Sequence, residues 1–246
     1  MRANPFYIRV PGRIALWGFF CLFLLCMLIL CPVYGSDKAL SSDEARLDIY
    51  VAGKEIGQEK YAVEVFEDSI HSKSNLNFRD PGRENKRVRI ETELIMNRDY
   101  IPQSYQLQTD IDGRKVTMAG KFVKGQANFE YRLDGIPRKR GLFVGEHYTL
   151  LDTNVFHHFT FIVQRFAMAS NKLSSMEVII PQELSNGILK VIDAGIEETS
   201  LRGKKRNLRR LKVDSGALII DLWVDEHNTL HKIELPVKGI EVVRFR

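Results

Sequence analysis

The chain has 246 residues, with 36 lysines and arginines against 31 acids for a formal charge of +5, and three cysteines. Arg2, Arg9 and Arg13 and all three cysteines (Cys21, Cys26 and Cys31) precede residue 36, which leaves 33 basic against 31 acidic residues beyond it. That near balance argues against a generally charged nucleic-acid binder. The missing cysteines exclude disulfides, thiolate metal sites and cysteine nucleophiles from the rest of the chain.

The first predicted element is an export leader over residues 1–35. Arginines precede an apolar run, Ile14–Leu30, and Val33-Tyr34-Gly35 follows as a small-residue cleavage pattern. The run is 17 residues, about 25 Å of helix. That length lies between a cleavable leader and a transmembrane helix, so three outcomes stand open: cleavage before Ser36, retention as an N-terminal anchor, or lipid attachment at Cys31. In each, the basic end stays cytoplasmic and the remainder crosses. The chain has no Asn-x-Ser/Thr acceptor, which together with the absent cysteines points to a bacterial periplasm or envelope.

Residues 36–46 are polar and aperiodic and read as a tether. From Leu47 the hydrophobic period is two, which predicts a single β-rich domain over 47–246. Leu47, Ile49 and Val51 alternate, Gly53 and Gly57 punctuate, and Tyr61, Val63 and Val65 alternate again. Val88 to Met96 and Tyr105 to Thr109 continue the pattern. Asp112-Gly113, Lys124-Gly125 and Asp134-Gly135 mark hairpin turns about one strand apart. Arg138-Lys139-Arg140 reads as a polar loop. Asp152 is placed to cap a helix running to about Met168, with Val155, Phe159, Ile162 and Phe166 on one stripe and Phe156 and Val163 beside it.

Strands are then expected at 177–180, 188–192, 196–202, 208–213, 218–224, 230–235 and 240–245. About fourteen strands and one substantial helix predict a mainly β fold. The expected form is a large curved antiparallel meander, an open half-barrel with the helix on its concave side.

Candidate sites are few. Arg202, Lys204, Lys205, Arg206, Arg209 and Arg210, with Lys212, form a basic run without an acid. It suits a solvated hairpin edge, or contact with an anionic surface worth ~1 kcal/mol per residue. His157 and His158 are adjacent and cannot share a metal on a helix, so surface or half-buried positions are expected and no metal or cofactor is assigned. Glu197-Glu198 and Asp225-Glu226 are not spaced as a general acid and base. No Gly-x-Ser-x-Gly occurs, and no enzymatic activity is expected. A hydrolase would require distant Ser, His and acid residues to meet in a cleft. Among the aromatics, Phe159, Phe166 and Trp223, with Val163, are candidates to line an apolar cavity between helix and sheet.

Two stretches carry a resemblance: Val51-Ala52-Gly53-Lys54-Glu55-Ile56-Gly57-Gln58-Glu59, and Leu222-Trp223-Val224-Asp225 with His227-Asn228-Thr229-Leu230, Lys232-Ile233-Glu234-Leu235 and Gly239. They resemble uncharacterised exported bacterial β-proteins of domain-of-unknown-function type, similar in turn to LolA- and LppX-like lipoprotein-carrier half-barrels. The resemblance implies a curved sheet whose concave face can hold acyl chains. The leading expectation is therefore a non-enzymatic envelope protein that binds an apolar or lipid-like ligand or assists envelope assembly. The alternative is an interaction scaffold with a filled core.

Overall fold

The computed structural model describes residues 38–133, 135–169 and 175–245, and Ala39–Arg246 form one compact unit. The export leader lies outside the described residues. Among these residues no helix is long and apolar enough to cross a membrane.

Eight strands come first: β1 Ser41–Val51, β2 Lys54–Val65, β3 Ser69–Asp80, β4 Lys86–Asn97, β5 Pro102–Ile111, β6 Arg114–Val123, β7 Gln126–Leu133 and β8 Ile136–Phe143. Then follow β9 Tyr148–Leu150, a 3-10 turn Phe156–His158, helix α1 Phe159–Met168, β10 Ser175–Ile180, β11 Ser185–Leu201, β12 Lys204–Asp214, β13 Ile219–Val224, β14 Leu230–Leu235 and β15 Ile240–Phe245. All fifteen strands belong to one sheet, ordered β8-β7-β6-β5-β4-β3-β2-β1-β15-β14-β13-β12-β11-β10-β9. The first and last strands therefore meet in the middle, with Leu47 opposite Arg244 and Ile49 opposite Val242. The expected curved, antiparallel-dominated sheet with one helix is what forms.

The sheet curls because one face must be hidden. Along β4, Val88, Ile90, Thr92, Leu94 and Met96 all point into the core. Helix α1 fills the concave side with Phe159, Phe161, Ile162, Val163 and Phe166, all buried. Each such side chain contributes about 1.5–3 kcal/mol on leaving water. The far end of the sheet turns back over β5. Tyr148 packs its ring 6.2 Å from that of Phe122, and Thr149 Oγ1 donates to the Tyr100 carbonyl at 3.4 Å.

Several expectations need correction. Strand β1 starts at Ser41, inside the stretch read as a tether, because Ser41 to Arg46 pair with Val65 to Lys60 of β2, and Asp43 is also held by Arg244 of β15. Gly57 is not a turn but lies inside β2, where a Cβ would collide with the Asn77 carbonyl of β3. The β1–β2 turn is Ala52-Gly53, both at positive φ. Strand β3 was not expected, since Ser72 and Ser74 stand where apolar residues would announce a strand. Arg138-Lys139-Arg140 is strand β8, not a loop. β11 is one strand interrupted by a bulge between Asp193 and Ile196. β9 and β10 pair in parallel, the single exception to the meander among the described residues, and the chain crosses between them through α1.

Candidate functional site

The polar interior is built on Glu59 of β2, Ser72 of β3 and His157 of the 3-10 turn. Strand alternation sends Glu59 inward with Tyr61 and Val63, and Ser72 inward with Ile70 and Ser74. His157 Nδ1 lies 2.6 Å from Glu59 Oε1, and Ser72 Oγ lies 2.8 Å from His157 Nε2. Glu59 Oε2 also accepts from the backbone N–H of Phe156 at 2.9 Å and of His157 at 3.1 Å. The Tyr61 ring stacks on the imidazole at 5.2 Å and 17°.

Acid to imidazole to serine is the hydrogen-bond order of a Ser-His-acid relay. Distant residues do meet, but not in a cleft: Ser72 is 1% exposed, and Glu59 and His157 are 0% exposed. A nucleophilic serine needs room for an acyl carbon at its Oγ and donors about 3 Å from the developing oxyanion. The packing around Ser72 gives it no such room. The arrangement instead acts as a clamp. Glu59 satisfies two N–H groups at the start of the helical segment, where no side chain of the segment itself supplies a cap.

A second buried cluster lies beside it. Tyr105 donates to Asp152 Oδ2 at 2.6 Å, and Asp152 Oδ1 accepts from the N–H groups of Thr153 and Gln182, each at 2.9 Å. Asp152 thus ties the 3-10 approach to the β10–β11 connection rather than capping α1, whose N-cap position is His158. Burial pushes the Asp152 carboxyl up to about 6, against the pull of the Tyr105, Gln182 and Thr153 hydrogen bonds. His158 Nδ1 accepts from the Asp152 N–H at 3.2 Å, which places its proton on Nε2. Burial and neighbouring His157 hold His158 well below its ordinary range. Both histidines are fully buried, where surface or half-buried positions were expected. Among the described residues no group of three or more His, Cys, Asp or Glu side chains is placed to hold a metal ion.

Of the four apolar candidates, the structure brings together three. Phe159, Val163 and Phe166 are 6%, 0% and 2% exposed within the continuous core. Trp223 is not with them. Its neighbours Leu222 and Val224 enter the core, while Trp223 lies on the opposite face under the Arg210 guanidinium, 5.5 Å from the ring centre. The basic run is the β11–β12 hairpin end. Arg202 pairs with Asp48, Lys205 with Glu198, Arg209 with Asp193, and Arg210 with Glu197 and Asp221. Lys204 and Arg206 are exposed.

The larger depressions have mixed linings, with Leu107, Met118 and Tyr131 among the charged residues of the first and Ile240 and Val243 in the second. One of about 1110 Å³ crosses β2 to β8 and is lined by Lys60, Lys73, Glu93, Gln106, Gln108, Glu130 and Lys139, exposed residues that point away from the core. Lys73 pairs with Glu93 at 3.1 Å, and Lys139 with Glu130 at 2.6 Å. Another, about 600 Å³, adjoins the hairpin end, where buried Lys232 meets Glu234 at 2.5 Å and Glu241 at 3.4 Å.

No protein-family model matches this sequence, and no curated protein matches it. One solved structure does share its fold. A β-barrel-like protein of domain of unknown function DUF1849 from Brucella abortus superposes with a TM-score of 0.56 over 85% of this chain and 98% of its own, at 10% identity. A DUF1089-family protein from Pseudomonas aeruginosa aligns over 73% of this chain and 90% of its own at 14% identity. Its TM-score of 0.41 is too low to carry an argument. The chain is thus similar in fold to a β-barrel-like protein of unknown function, as its sequence resemblance led us to expect.

Proposed function

We propose that this protein is a non-enzymatic interaction module of the bacterial envelope, with a filled interior and its binding surfaces on the outside of the sheet. One observation carries the reading: Phe159, Val163 and Phe166, where an acyl chain would lie, are packed within the core. A lipid carrier needs an apolar cavity of several hundred Å³, whereas the larger depressions here are open grooves whose linings mix charged side chains such as Lys60, Glu93, Lys139, Arg202 and Lys232 with apolar ones such as Leu107, Met118, Ile240 and Val243. The buried Ser72 supports the absence of hydrolase activity in the same way. The envelope assignment rests on the leader, residues 1–35. Lys204 and Arg206 of the basic hairpin would add a weak attraction to an anionic surface.

The test is titration of the full chain with a fluorescent fatty acid and with a labelled phospholipid. Emission should rise linearly, without saturation. Saturable binding at a stoichiometry of one would replace this reading with that of a carrier.

A further inference from the structure

The two ends of the sheet are treated differently. β9 is buried along its whole length, whereas every described side chain of β8 from Ile136 to Phe143 is exposed, apart from half-buried Leu142. Among the described residues β8 pairs with β7 alone, so its other edge presents backbone N–H and C=O groups without strand partners, except that Pro137 has no N–H and the Phe143 carbonyl accepts from Asn186 Nδ2 at 3.1 Å. Arg138, Lys139 and Arg140 occupy its centre, with Ile136 57% and Phe143 83% exposed at its ends. Arg132 of β7 adds a further charge opposite Pro137.

We propose that β8 is a docking edge for an extended acidic segment of a partner protein, added to the sheet as a sixteenth strand. This deepens the interaction-module reading and rests on it. Strand addition would satisfy the open backbone groups of β8, and alternate side chains would give specificity. Charge decides the partner. An antiparallel pairing of two copies centred on Lys139 would set Arg138 against the copy's Arg140 and Lys139 against itself. Like charges directly opposite are destabilising. A strand carrying Glu or Asp at every second position would instead set its acids against Arg138 and Arg140, which share one face. Among the described residues, of Arg138, Lys139 and Arg140 only Lys139 has an acidic partner, Glu130, and that pair is largely exposed.

Fluorescence anisotropy with the full chain tests this, using labelled extended octapeptides of alternating Glu and Val, the same peptide with Lys for Glu, and the acidic peptide N-methylated at alternate residues. The acidic peptide should bind, the lysine peptide should not, and N-methylation should weaken binding at least tenfold. The pair Arg138→Glu and Arg140→Glu should do the same, while hydrogen exchange of β8 amides slows when the acidic peptide is added to the parent chain. Equal binding of the N-methylated peptide would reduce the site to general polyanion attraction and overturn the proposal, as would no binding at all. Neither result touches the filled interior, which only lipid uptake would contradict.

Discussion

Glu59 and His157 are 98 positions apart in the chain, yet their side chains meet at 2.6 Å with no access to water. One carboxylate oxygen holds the imidazole and the other holds the two N–H groups that open the helical segment. Removing it strands a buried imidazole and two buried donors at once. Glu59→Ala should therefore cost about 3–5 kcal/mol, the range for breaking a buried pair. Glu59→Gln should cost less, because its carbonyl can still accept from the backbone while His157 changes tautomer. Urea unfolding of the three proteins measures this; equal stability of Glu59→Ala and the parent would refute the clamp.

The serine beside that pair should be inert. Ser72 should not be labelled by a fluorophosphonate probe in the native protein. Ser72→Ala should lower stability by about 1–3 kcal/mol, through the partner lost from His157 Nε2. Stoichiometric native labelling at Ser72 would show that the relay can open to a substrate.

Asp152 predicts a pH dependence with a definite sign. Its folded-state value, about 6, exceeds the ordinary carboxyl value near 3.9, so between the two the folded protein holds a proton that the unfolded chain has released. The associated stability is complete below about pH 4 and is lost as pH rises through about 6, by up to about 3 kcal/mol. His158 acts oppositely: its depressed value favours the fold above the unfolded value near 6.5 and costs stability as pH falls. Asp152→Asn removes the first contribution and keeps the second. Parent stability minus variant stability should decline from about pH 4 to about pH 6.5, and a flat difference would contradict the assignment.

With the interior filled as proposed, core truncation should create a cavity that is new to the variant. Phe166→Ala should cost about 3–5 kcal/mol and leave an apolar void able to take up benzene or xenon. Ligand-induced thermal stabilisation should appear in the variant alone. Equal stabilisation of the parent would reveal a space beside α1 that its packing does not show.

The strands were legible where apolar residues alternate without interruption, as in β4 with Val88, Ile90, Leu94 and Met96, and where Asp112-Gly113 supplies a turn. They were illegible where the inward face is polar. β3 carries Ser72 and Ser74 in core positions, and β8 carries arginines on a strand that buries almost nothing. The interior site was hidden for a related reason. Glu59, Ser72 and His157 lie on three elements, and a buried glutamate in an alternating pattern looks like an outward one. The one available sign was phase: Glu59 shares its parity with Tyr61 and Val63, and so had to point with them. The side of the sheet taken by Trp223 could have been found in the same way from Leu222 and Val224, which alternate with it.

Native mass spectrometry of the protein purified from its native host tests the proposed filled interior most directly. A spectrum dominated by the mass of the polypeptide, with any covalent modification at its N-terminus, and unchanged after incubation with lipid extract, is the expected result. A retained non-covalent lipid, present at one per chain and exchangeable with the extract, would contradict it.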